Sequence, residues 1–208
     1  MVNGKSSGSS RRKLRDADMP SSPTVLLLVD FVNPLDFPGA EKLAPAAAKA
    51  AKATAKLRRQ LSRQGVRTVY ANDNYGNWNA DLNALWKSCA AKRGYPAEIA
   101  RALKPRKDDL TILKPRHSAF YATALDILLE QLKCKKLVLA GVAADSCVLF
   151  TAMDAYLRGY SVRIPSDCVA AEEEQATQAA LEHMARVLKA DISPAEDRRK
   201  SRGDGGPN

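Results

Sequence analysis

Three residues, Asp30, Lys114 and Cys147, have the types needed for nucleophilic chemistry. A thiol attacks as the thiolate, so it needs a group to take its proton and positive charge or N–H donors to favour the anion. Cys147 follows Leu137-Val138-Leu139-Ala140-Gly141-Val142-Ala143-Ala144-Asp145-Ser146, a β-rich apolar run that pauses on small residues before helical periodicity resumes. The pattern predicts strand, turn and helix, with the thiol where the helix begins. Unpaired backbone N–H groups and the positive end of the helix dipole favour the thiolate there. The N–H groups of the 141–147 turn could also receive the oxyanion of a tetrahedral intermediate. Asp30 offers a carboxylate to accept the thiol proton and return it to a leaving amine. Lys114 offers an ammonium to lower the thiol pKa and fix the aspartate. Each residue also has a plainer reading. Cys147 is otherwise a small buried hydrophobe, Asp30 a loop or helix cap, and Lys114 a lysine at a strand end.

The elements that position them read as alternating strands and helices. Thr24-Val25-Leu26-Leu27-Leu28-Val29-Asp30 is an unbroken apolar run ending in an acid, as expected of a strand covered on both faces. A loop through Pro34 and Gly39 leads to a helix over 41–64, with apolar stripe Leu43, Ala47, Ala50, Leu57 and Leu61 and Gly65 at its C′ position. A second strand over 66–71 precedes the loop Asn72-Asp73-Asn74-Tyr75-Gly76-Asn77-Trp78. One or two short helices follow in 80–103, then a strand over 110–114 ending in Lys114. Ser118 is expected to cap a helix through Leu132. A strand over 136–140, the helix from Cys147 to Gly159, a strand over 160–164 and a helix over 172–189 complete the series, with a short sixth strand near 190–192. This order predicts an α/β domain of three layers, a parallel Rossmann-like sheet with helices on both faces. Asp30, Lys114 and Cys147 then share the C-terminal edge of the sheet, where open α/β sheets bind ligands. No GxGxxG follows the first strand, so no dinucleotide site is expected.

Composition bounds the rest. A chain of 208 residues, 45% of them hydrophobic, fits one domain with a sizeable core. Residues 1–23 read as a disordered basic arm without a secretory h-region, 24–193 as the folded body and 194–208 as a disordered tail. The four cysteines form no CxxC pair, which places free thiols in a reducing cytoplasm. Only His117 and His183 are histidines, so neither a metal centre nor another cofactor is expected. No run is long enough to span a membrane. Of the net charge of +10, a large share is the stripe Lys49, Lys52, Lys56, Arg59 and Arg63 on one face of the first helix. It reads as a solvated face rather than a nucleic-acid surface, because no aromatic residues interleave it.

Leu28-Val29-Asp30, then Leu113-Lys114-Pro115-Arg116-His117-Ser118-Ala119-Phe120, then Gly141-Val142-Ala143-Ala144-Asp145-Ser146-Cys147-Val148, then Thr151-Ala152-Met153-Asp154-Ala155 and Gly159-Tyr160, together resemble the isochorismatase-like cysteine hydrolases. The resemblance runs from Thr24 to Ser193. It implies six parallel strands, a triad of Asp30, Lys114 and Cys147, a cis peptide at Val142–Ala143, and oxyanion donors in the N–H groups of Ala143 and Cys147. It also implies a homo-oligomer and a cofactor-free cleavage of a small amide, carbamoyl or related C–N substrate through a thioester. The sequence departs from the family in places. Val32 stands where many amide-hydrolysing members have glutamine, and Asp73-Asn74-Tyr75 lacks the histidine with which nicotinamidases bind metal. Candidate substrate contacts are Phe37, Asn72, Tyr75, Trp78 and His117. A competing reading is a non-enzymatic protein binding nucleic acid or acidic partners through its basic face; a third is a redox-responsive thiol at Cys147.

Overall fold

The computed structural model describes residues 19–195; the expected disordered segments at 1–18 and 196–208 lie outside the described residues. Elements follow in the order β1 (Thr24–Val29), α1 (Ala40–Ser62), β2 (Arg67–Asp73), α2 (Leu82–Ala91), α3 (Tyr95–Ala102), β3 (Leu110–Lys114), α4 (Leu125–Gln131), β4 (Lys136–Val142), a π-helical turn (Ala144–Val148), α5 (Leu149–Leu157), β5 (Ser161–Arg163), β6 (Val169–Ala170) and α6 (Glu174–Leu188). All strands pair in parallel in the order β3-β2-β1-β4-β5, with β6 also on β4.

The apolar run of β1 is unbroken because its side chains alternate between two cores. Val25, Leu27 and Val29 join Leu129, Ala152, Leu181 and Met184 on the face covered by α4, α5 and α6. Leu26 and Leu28 join Leu43, Ala47, Leu57, Ile99 and Leu103 on the face covered by α1 and α3. Burying such a strand on both sides removes alternate apolar rows from water at once, which is why it carries no polar residue before its end. On α1 the basic stripe lies exposed opposite the buried one, and Lys52 pairs with Glu98 of α3.

Strand order reverses at β1, whose neighbours are β2 and β4, so a crevice opens at their C-terminal ends. Gly141 of β4 pairs with Val29 of β1 at this point. A Cβ at Gly141, where φ is 154°, would sit 2.1 Å from the Val29 carbonyl oxygen. Only glycine lets the two strands approach this closely.

Three expectations are corrected. The sixth strand is Val169–Ala170 on β4, whereas the 190–192 segment makes one isolated bridge, Arg163 to Asp191. No α-helix starts at Ser118: its Oγ donates to Asp154 Oδ2 (2.5 Å) and accepts the Phe120 N–H (3.2 Å), but the chain closes only a turn, the Tyr121 N–H bonding the Ser118 carbonyl at 3.2 Å. Helix α4 begins at Leu125, whose N–H is taken by Thr123 Oγ at 3.2 Å. The ordered body also runs past 24–193: the Ser22 N–H bonds the Leu132 carbonyl at 2.7 Å, and buried Ala195 donates to Asp167 at 2.8 Å. Among the described residues no helix is long and apolar enough to cross a membrane.

Candidate active site

Asp30, Lys114 and Cys147 meet above the crevice. Asp30 leaves β1 in the left-handed region, at φ 51°, a conformation that aspartate tolerates better than most residues. Its N–H bonds the Ala71 carbonyl at 3.0 Å, and its Oδ1 accepts the Asp73 N–H at 2.7 Å, so β2 fixes both ends of the residue. Lys114, last in β3, is fully buried. Its Nζ lies 2.8 Å from Asp30 Oδ2, 3.2 Å from the Arg116 carbonyl, 3.5 Å from Cys147 Sγ and 3.7 Å from Asp73 Oδ2. One ammonium therefore ties a carboxylate from β1 to a thiol beyond β4.

The turn carrying Cys147 opens with a cis peptide at Val142–Ala143. The Ala143 carbonyl accepts the N–H groups of Ser146 (3.2 Å) and Val148 (3.1 Å), on either side of Cys147. Thr151 Oγ donates to the Cys147 carbonyl at 2.7 Å and accepts the Ala119 N–H at 3.0 Å, so the segment after β3 is pinned to the thiol's helix.

Burial raises the Asp30 carboxyl above the ordinary carboxylate range, against the opposing pull of Lys114. Burial alone would lower Lys114, but Asp30, Cys147 and Asp73 outweigh it and hold the ammonium charged. The Cys147 thiol is pushed up to about 12, by burial first and the Asp30 carboxylate second, with Lys114 acting the other way. This corrects the expectation of a resting thiolate. The helix start and the lysine do favour the anion, but desolvation and a neighbouring carboxylate oppose it more strongly.

A cavity of about 340 Å³ opens over the sulfur, lined by Asp30, Asn33, Phe37, Leu43, Asp73, Tyr75, His117, Val142, Ala143, Ser146, Cys147 and Glu172. That is the size of a small-molecule site. Among the expected contacts, Phe37, Tyr75 and His117 lie on it. His117 Nδ1 stands 3.7 Å from Cys147 Sγ and 3.4 Å from Ser146 Oγ, with its ring stacked on Phe150. Trp78 and Asn72 do not lie on it. Trp78 is 84% exposed on the loop after β2. Asn72 is fully buried and clamps Val32, accepting its N–H at 3.1 Å and donating to its carbonyl at 2.8 Å. It thereby holds the chain beyond Asp30, and the Val32 side chain packs into the core rather than the cavity.

Sequence reading missed Asp73 and Glu172 on the wall. Glu172 lies two residues past β6, at the same C-terminal edge as Asp30 and Cys147. Recognising that two-residue strand would have found it.

The family model for the Isochorismatase domain matches residues 24–196. The chain is 36% identical over 178 residues to YaaI of Bacillus subtilis strain 168, an uncharacterized isochorismatase family protein, covering 86% of this chain and 97% of that one. It is 29% identical over 150 residues to the maleamate amidohydrolase of Pseudomonas putida, covering 69% and 70%. The crystal structure of N-carbamoylsarcosine amidase from Thermoplasma acidophilum superposes with a TM-score of 0.66 at 27% identity, over 87% of this chain and 99% of that one.

Proposed function

Because the chain belongs to the isochorismatase family of hydrolases, we propose that it cleaves a small amide, carbamoyl or related C–N substrate through a thioester on Cys147. The observation that carries this reading is the single buried ammonium of Lys114, 2.8 Å from Asp30 and 3.5 Å from Cys147 Sγ, beneath a small-molecule cavity. Relatives named as maleamate and ureidoacrylate amidohydrolases support the bond class.

The protonated thiol sets the order of events. Asp30 takes the Cys147 proton as sulfur attacks the substrate carbonyl carbon, so the thiolate forms only in the attack. The Lys114 ammonium balances the charge leaving the sulfur, and the N–H groups of Ala143 and Cys147 receive the carbonyl oxyanion. Collapse breaks the C–N bond, the departing nitrogen takes the proton from Asp30, and the acyl group remains on sulfur. Asp30 then accepts a proton from water as the oxygen attacks the thioester. The C–S bond breaks, and Asp30 returns the proton to Cys147. A raised carboxyl pKa suits Asp30 to this exchange, because it narrows the gap to the thiol it deprotonates.

The same reading makes the protein a homo-oligomer. In support, Phe150, Met153 and Leu157 leave an exposed apolar face on α5 beside the His117 rim. Sedimentation giving only a species of 22.6 kDa would remove that element.

The catalytic reading is tested by incubating the protein with a panel of small amides and ureido compounds whose far ends are anionic (maleamate, ureidoacrylate, N-carbamoylsarcosine), neutral (butyramide) and cationic (γ-aminobutyramide). Intact-mass spectrometry after rapid acid quench is expected to find an acyl adduct on Cys147, absent in Cys147→Ser. Turnover that survives Cys147→Ser overturns the reading, as does failure of the whole panel.

A further inference from the structure

The chain carries a net charge of +10, yet the cavity over Cys147 is lined by three carboxylates, Asp30, Asp73 and Glu172. Asp30 is matched by Lys114. Asp73 accepts the Tyr75 N–H at 2.6 Å and reaches Lys114 only at 3.7 Å, an ammonium already shared with Asp30. Glu172 makes no ion pair among the described residues; exposed Lys42, near enough to feel it, bonds the adjacent Glu173 at 3.2 Å. Lys92, the cation nearest the 34–36 loop, pairs with Asp36 at 3.6 Å and does not line the cavity. The remaining basic group on the wall, His117, directs Nδ1 toward Ser146 and Cys147.

The exposed Glu172 side chain lays its carboxyl group over Gly39. A Cβ on Gly39 would lie 2.7–2.8 Å from the Glu172 carboxyl group, so any other residue there would displace it. Gly39 also holds φ 89°, which favours glycine independently. Phe37 and Tyr75 line the same cavity, with Glu172 and Tyr75 at its exposed side. Aromatic faces with an unpaired carboxylate form a site for a cation, which gains from both the ring quadrupole and the charge. The Tyr75 hydroxyl reports the same field. It is held above its ordinary value by burial and then by Asp30, Asp73 and Asp36. An anionic group in this cavity would meet two carboxylates and, among the described residues that line it, no uncommitted ammonium.

We propose that this pocket selects substrates whose non-reacting end is a small cation, an ammonium or guanidinium received by Glu172 with Phe37 and Tyr75, and discriminates against amides that end in a carboxylate. The inference rests on the cavity over Cys147 being the substrate site of an amide hydrolase. It narrows the substrate class to one opposite in charge to maleamate.

Three amides of matched backbone test it: γ-aminobutyramide (cationic), butyramide (neutral) and succinamate (anionic). Binding is measured by calorimetry on the Cys147→Ala protein, which separates recognition from turnover. The cation is expected to bind at least tenfold tighter than butyramide, and succinamate weaker than butyramide. Glu172→Gln preserves shape and the contact over Gly39, and should shrink the cation-to-anion ratio about tenfold. Added salt should shrink the same ratio in the unmodified pocket. Equal or tighter binding of succinamate overturns the proposal. So does a ratio unmoved by Glu172→Gln, or no binding of any ligand. A cation preference with no turnover by the Cys147 protein would instead uphold the recognition and refute the amide-hydrolase reading.

Discussion

Replacing Asp30 by asparagine should make Cys147 more reactive toward an alkylating agent while abolishing its reaction with amides. Lys114 Nζ lies 3.5 Å from the sulfur, and opposite unit charges at about that distance attract by roughly 4 kcal/mol in a partly solvated protein site. In the wild type this attraction is offset by the Asp30 carboxylate, bound to the same ammonium at 2.8 Å, and by burial, and the thiol is pushed up to about 12. Asparagine keeps the shape and removes the negative charge, so the lysine acts on the sulfur against burial alone. A gain of about 3 kcal/mol at roughly 1.4 kcal/mol per decade raises the thiolate population about a hundredfold at pH values near 8. The assay is iodoacetamide alkylation followed by intact mass across a pH series. Wild-type rates should keep rising through the alkaline range, whereas the Asp30→Asn rate should be about a hundredfold higher near pH 8 and level off near ~9 to 10. Amide turnover in the same variant should fall by about 10² to 10⁴, the usual contribution of a general base. Alkylation that is unchanged or slower in Asp30→Asn would refute the claim that Asp30 holds the proton on the sulfur, and retained turnover would refute its role as base.

Other perturbations probe the same geometry. Asp30 must be ionised to accept the proton, and burial raises its pKa; kcat/KM should therefore climb with pH through an acid limb above the ordinary aspartate value of about 3.9, and a limb at or below that value would contradict the burial argument. Lys114→Met leaves Asp30 buried without its partner, which should cost about 3 to 5 kcal/mol of stability and at least a hundredfold in activity. In that variant Asp30 binds its proton more tightly folded than unfolded, so the stability deficit in urea should grow as pH rises; a deficit independent of pH would argue against an uncompensated charge. Gly141→Ala places a Cβ 2.1 Å from the Val29 carbonyl oxygen and should lose more than ~3 kcal/mol or fail to fold. A wild-type urea midpoint would show that β1 and β4 can part there.

Much of the molecule is legible in the chain because strands buried on both faces have no room for polar residues until they end. The apolar runs at 25–29 and 137–142 therefore announce their own C-terminal edges, with Asp30 and Cys147 past them, while the edge strand β3, with Thr111 exposed, ends on Lys114. Alternation of such runs with helical stripes dictates a parallel sheet with two covered faces. Local signals misled where a side chain had a better tertiary partner. Ser118 has the type of a helix cap, but its hydroxyl ties the chain to Asp154 of α5 and only a turn follows it. Trp78 and Asn72 read as members of a loop past a strand end, yet Trp78 faces solvent, and Asn72 lies within β2 and holds the backbone of Val32.

The sequence by itself determined the sheet, its edge and the three chemical groups that share that edge, since periodicity and strand termination are properties of neighbouring residues. Tertiary structure alone decided what those groups are to one another. Lys114 reaches Cys147 from β3 across two intervening strands, and Glu172 reaches the cavity wall from a strand of two residues, too short to leave a periodic trace. The protonation state of the sulfur belongs to the same class. A helix start and a lysine can be read along the chain and argue for a thiolate, but desolvation and the Asp30 carboxylate beside the sulfur exist only after folding, and these push the thiol pKa up.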